Sequence, residues 1–188
     1  GLDLAFVSAD FGPAGSFGKQ GVKVSFHGSI LLSKMKNIGA KMYIGVLEVP
    51  KGNLSGNLHV AEIGGGVYKH FKIKNRIFAT PFAGLHFATL GSGGESLSDS
   101  STVQSNGLRL QASVSMLHGP KNEHVFSLGI GLSTYTPPSD KGAAGLGLAN
   151  GGTTAGLLFS YTYRDSKPFG KSFSRLNSFC NYIRSWCQ

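Results

Sequence analysis

The chain has 188 residues, 18 of them Lys or Arg against 9 Asp or Glu, for a formal net charge of +9. Charged residues make up only 14%, where a soluble domain has about 25%, and the 28 glycines are roughly twice the usual share. Hydrophobic residues at 40% and aromatics at 11% exclude a disordered chain, and no apolar run approaches the roughly 18 residues of a membrane helix, so only a barrel could carry this chain across a bilayer.

Period-two alternation divides the chain into eight strands. Leu2–Phe11 has strand length and composition but breaks alternation. Gly21–Met35 places Val22, Val24, Phe26, Gly28, Ile30 and Leu32 on one face, and Lys23, Ser25, His27, Ser29 and Ser33 on the other. Ala40–Val49, Leu58–Phe71 and Arg76–Leu90 are again strand-like with interruptions. Gly64-Gly65-Gly66 is expected to mark a bulge or tight bend, and Pro81, lacking a ladder donor, needs a bulge or an unpaired position. From Leu108, the residues Leu110, Ala112, Val114 and Met116 alternate with Arg109, Gln111, Ser113 and Ser115. From His124, Phe126, Leu128, Ile130 and Leu132 alternate with Ser127, Gly129, Gly131 and Ser133. From Thr153, Ala155, Leu157, Phe159, Tyr161 and Tyr163 alternate with Thr154, Gly156, Ser160, Thr162 and Arg164. No helical pattern competes before residue 168.

The polar faces consist of Ser, Gly, Thr and Gln with few charges, a composition for a narrow lumen rather than a water-exposed exterior. The apolar faces, ending in tyrosines, suit lipid bordered by an aromatic girdle. The reading is therefore an eight-stranded antiparallel up-and-down barrel with lipid outside. Its alternative is a soluble lipocalin-like barrel, periplasmic or secreted, holding an apolar ligand against an inward apolar face. The connections alternate long and short: Gly12–Gln20, Lys36–Gly39, Pro50–Asn57, Lys72–Asn75, Gly91–Asn106, Gly119–Glu123 and Thr136–Gly152. Short periplasmic turns and longer external loops have this rhythm. The first residues lack the basic start and unbroken apolar stretch of a signal peptide, as a mature secreted chain also does.

In these Gly- and aromatic-rich alternating strands, of which Gly152–Tyr163 is the clearest, the chain resembles the small eight-stranded outer-membrane barrels of Gram-negative bacteria. The resemblance covers residues 1 to about 165 and implies a bacterial outer-membrane location. Such barrels usually end on an aromatic-terminated strand, whereas this chain continues. Residues 166–188 read as a separate basic tail in which Phe173, Leu176, Phe179, Ile183 and Trp186 recur at three- and four-residue spacing, an amphipathic helix suited to a membrane interface. Cys180 and Cys187 would be about 10 Å apart along an intact helix, beyond the roughly 7 Å reach of a disulfide. Free thiols on a helix and a small disulfide loop both stay open.

Lys23, Glu62, Arg109, Gln111 and Arg164 fall on polar faces, where charges must pair in a lumen network or reach water at the barrel ends. Lys34, Lys36, Lys72, Lys74, Arg76 and Lys121 fall in or beside the short turns and form a basic rim for anionic headgroups of phospholipid or lipopolysaccharide. The aromatic-interleaved stretch Lys69–Arg76 has the composition of a single-strand nucleic-acid binder, but its place at a short turn favours the lipid rim, and no nucleic-acid partner is expected. The six histidines show no metal spacing, and no metal or cofactor is expected. Some outer-membrane lipid A deacylases are eight-stranded barrels that use a His and a Ser on one strand. Here the residue two after His86 is Ala88, which leaves Thr89, Ser92 and Glu95 as substitutes and no catalytic residue identified. The expected role is structural or interactive: membrane integrity, adhesion, or docking of a protein partner through the long loops or the tail. A lipid A-modifying enzyme is the further alternative.

Overall fold

The computed structural model describes residues 1–11, 20–33, 37–50, 57–93, 102–137 and 151–164. The strands are β1 (Leu2–Phe11), β2 (Gln20–Ser33), β3 (Ile38–Pro50), β4 (Asn57–Lys69), β5 (Phe71–Lys74), β6 (Ile77–Gly93), β7 (Thr102–His118), β8 (His124–Tyr135) and β9 (Gly152–Tyr163). Apart from β4 and β5, sequence neighbours pair antiparallel from β1 round to β9, β1 pairs with β9, and β4 pairs with β6. The sheet thus closes on itself with no open edge along its main wall. β5 continues β4 beyond a break at His70, so the wall has eight strands. The C-terminal tail, with Phe173, Leu176, Phe179, Ile183 and Trp186, lies outside the described residues.

The register corrects one expectation about irregularity and meets the other. β4 pairs with β3 and β6 without a shift through Gly64, Gly65 and Gly66, so these glycines make no bulge. They supply room instead: a Cβ on Gly64 would lie 2.6 Å from the Tyr43 ring, and one on Gly66 2.1 Å from the Ala83 carbonyl oxygen. The shifts lie between Leu31 and Ser33 and between Lys72 and Lys74. Pro81 pairs in register with Ala112 of β7, and on its other side it falls between the last β4 partner, Phe82, and the first β5 partner, Ala79. The missing donor thus faces the break in the neighbouring strand.

The sidedness is that of a membrane barrel. Leu110, Val114, Leu128, Ile130, Leu157 and Phe159 point outward and are exposed, while Gln111, Ser113, Ser127, Ser133, Ser160 and Thr162 line the interior. The soluble lipocalin-like alternative requires the first set inside and does not fit. The outward run from Leu108 to Met116 rises roughly 20 Å at a 45° tilt, close to the roughly 25 Å apolar band of an outer-membrane barrel.

Toward the long connections this sidedness reverses. Ser8, Asp10, Gln20, Glu48, His59, Thr89, Gln104, Asn106 and Thr153 are polar and face outward there. At the same level the interior holds an apolar cluster that includes Phe11, Val49, Leu58, Leu90 and Val103. The upper barrel is therefore built as a water-soluble barrel, apolar inside and polar outside, and the lower barrel is its inverse.

Candidate functional site: a charged layer inside the barrel

Below the apolar cluster the interior carries a buried ionic network. Inward positions of β2, β4 and β7 bring Lys23, Glu62, Arg109 and Gln111 together. Lys23 Nζ lies 2.8 and 2.9 Å from the two Glu62 carboxylate oxygens and donates to Ser133 Oγ at 3.3 Å. Arg109 Nη1 donates to Glu62 Oε1 at 3.0 Å, and the Tyr135 hydroxyl donates to Oε2 at 3.2 Å. With its amide oxygen turned toward Arg109, Gln111 accepts from Nη2 and Nε at 2.8 and 2.9 Å. The guanidinium also lies over the Tyr43 ring, 4.2 Å from its centroid. Glu62 is thus held by two cations and a phenol, the multiple pairing a buried carboxylate needs.

A second carboxylate anchors the side of the layer nearer the short turns. Asp3 Oδ2 accepts from Lys41 Nζ at 2.8 Å, and Arg109 Nη2, 3.8 Å away, links the two halves. His27 Nδ1 sits 3.0 Å from Asp3 Oδ1 without hydrogen-bond alignment, while its Nε2 meets Thr162 Oγ1 at 2.8 Å. Nearer the short turns the lumen is lined by hydroxyls, with Ser115 Oγ 2.9 Å from Ser127 Oγ and Thr80 Oγ1 2.8 Å from His70 Nδ1.

Arg164 does not join this network. It follows the end of β9, exposed, with its backbone N–H donating to the Glu123 carbonyl at 2.7 Å. Asp3, Lys41, Tyr43 and Tyr135, which sequence reasoning did not select, do join it. The signal for Lys41 and Tyr43 was their shared phase on β3 with Leu47 and Val49, a phase hidden by the reversal of sidedness.

His86 faces the interior, 1% exposed, its ring centroid 4.9 Å from that of Tyr135, and neither ring nitrogen has a partner. Thr89 lies on the opposite, outward face of β6, so the two cannot form a catalytic pair. The side chains of Ser92 and Glu95 fall outside the described residues. Of the basic rim, Lys72, Lys74, Arg76 and Lys121 are exposed at the short-turn end, and Lys34 and Lys36 are outside the described residues. Among the described residues no cluster of His, Cys, Asp or Glu could hold a metal ion.

No protein-family model and no curated protein sequence matches the chain. Among solved structures, the crystal structure of Neisserial surface protein A is similar at a TM-score of 0.64 and 14% identity, over 87% of this chain and 94% of that one. Ail, the attachment invasion locus protein of Yersinia pestis, gives a TM-score of 0.45 at 11% identity over 87% and 96%. By its closed eight-stranded wall and its likeness to the Neisserial protein, the chain has the fold of the small outer-membrane β-barrels.

Proposed function

We infer that the protein is a bacterial outer-membrane barrel whose role is structural or interactive rather than catalytic. The observation that carries this reading is the exterior: large apolar side chains such as Met42, Ile44, Leu85, Phe87 and Ile130 stand 60–68% exposed on a closed wall. An exposed apolar surface of that extent is unstable in water and stable in lipid. The short turns then lie on the periplasmic side and the long connections outside. The basic residues at the short-turn end meet anionic headgroups, and the polar upper barrel lifts the long connections clear of the bilayer, where they can meet lipopolysaccharide or a protein partner. Contribution to membrane integrity, adhesion and partner docking are the roles this arrangement serves.

Detergent dependence tests the reading directly. The refolded chain should stay monodisperse only with detergent or lipid present. A cysteine placed at Asn122 should be labelled from the periplasmic side of intact outer membranes, and one placed at Pro137 from the outside. A chain monodisperse in plain buffer, or labelling on the reverse sides, overturns it.

A further inference from the structure

We propose that the barrel interior holds a site for one small monovalent anion, chloride in practice, beside Lys23 and Arg109. Among the described residues the charged layer contains three cations, Lys23, Lys41 and Arg109, and two carboxylates, Asp3 and Glu62. Three against two leaves positive charge uncompensated among these buried groups, where an unpaired charge is costly.

A cavity of about 20 Å³ adjoins that excess charge. Lys23, Arg109, Gln111, Ser133 and Thr154 supply its polar wall, and Gly131 leaves part of the wall bare. Lys23 and Arg109 are each 3% exposed. Ser133 accepts from Lys23 through its oxygen and keeps its own hydroxyl proton to donate. Cations and hydroxyl donors facing one small space are the chemistry of an anion site. The volume exceeds the roughly 10–15 Å³ that a water needs and leaves room for one small ion. Chloride, only slightly larger than water, fits and cancels the excess charge. A water would fill the space and leave the charge.

Gly131 provides the control. A Cβ there would come no nearer than 3.8 Å to any neighbour, so Gly131→Ala is compatible with the fold while placing a methyl group at the cavity wall. The full chain, refolded in an uncharged detergent, is unfolded thermally in sodium chloride and in sodium gluconate at equal ionic strength. The expected result is a saturable chloride-specific rise in midpoint, about 3–6 °C at tenfold above half-saturation, absent in Gly131→Ala. No chloride effect in the parent chain means that water occupies the cavity and overturns the proposal. An effect that survives in Gly131→Ala assigns the chloride to the basic exterior and overturns it equally. Bromide-soaked crystals give an independent reading: an anomalous peak between Lys23, Arg109 and Ser133 is expected, and anomalous density elsewhere alone counts against the site.

Discussion

At Glu62 one side chain pairs with two of the three buried cations, Lys23 and Arg109, and its neighbours are not equivalent. Replacing Lys23 by Met leaves two cations and two carboxylates, a balanced set. Replacing Glu62 by Gln leaves three cations facing Asp3 alone. Breaking a buried pair from one side costs about 3–5 kcal/mol when a charge is stranded. Glu62→Gln should therefore lower the unfolding free energy in detergent by about that much, and Lys23→Met by clearly less. Equal losses would mean that the layer is not charge-limited. Lys23, Arg109 and Gln111 were legible in the sequence because each stands out against a face rich in Ser and Gly, and Glu62 because it is the one acid in its strand. Asp3 and Lys41 were not, because on β1 and β3 the polar and apolar phases exchange midway and no face stays polar for the full strand.

That exchange explains at the level of the strand why some segments alternate cleanly in sequence and others do not. β8 and β9 keep one phase over most of their length, with Phe126 to Leu132 and Leu157 to Tyr163 outward. β3 runs Met42, Ile44 and Val46 outward, then Leu47 and Val49 inward around an outward Glu48, so two apolar residues adjoin at the crossing. β1 does the same at Phe6-Val7 and β6 at Phe87-Ala88. What reads as noise in the sequence is the upper edge of the apolar band. The upper ends of β6 and β7 were missed for the same reason: beyond it, side chains follow the pattern of a soluble strand. Arginine substitution should trace that edge. Ile44→Arg and Ile130→Arg, within the band, should cost about 2–4 kcal/mol in lipid vesicles, while His59→Arg and Gln104→Arg, above it, should cost about 0–1 kcal/mol. Leu90→Ala, inside the upper barrel, should cost about 2–5 kcal/mol as in any packed core. A uniform cost for the four arginine variants would remove the distinction between the two halves of the barrel.

Over the described barrel as a whole the charge asymmetry arises at the short-turn end. Lys69, Lys72, Lys74, Arg76, Lys121 and Arg164 are exposed there. The acid among the described residues there, Glu123, accepts from the Lys121 N–H at 2.8 Å, and backbone hydrogen bonding, its own N–H first, holds its carboxyl below the usual carboxylate range, so it stays charged. The long connections contribute little to the asymmetry, since Lys19, Lys51 and Lys141 offset Glu95, Asp99 and Asp140. The outward strand ends beside them add only Asp10 and Glu48. The described barrel therefore carries one strongly basic rim, bordered by the exposed Phe71, Ile73 and Tyr163. Aromatic and basic side chains together form an interfacial anchor, and each cation near an anionic leaflet contributes about 1 kcal/mol. Vesicles containing phosphatidylglycerol should accordingly raise the unfolding midpoint above that in pure phosphatidylcholine. The gain should fade as salt shortens the Debye length from about 8 Å at 0.15 M to about 3 Å at 1 M. The triple variant Lys72→Gln, Lys74→Gln, Arg76→Gln should lose a large part of the gain at low salt while keeping its stability in phosphatidylcholine. A gain indifferent to salt, or one the triple variant keeps in full, would show that the bilayer holds this end of the barrel by its apolar side chains alone.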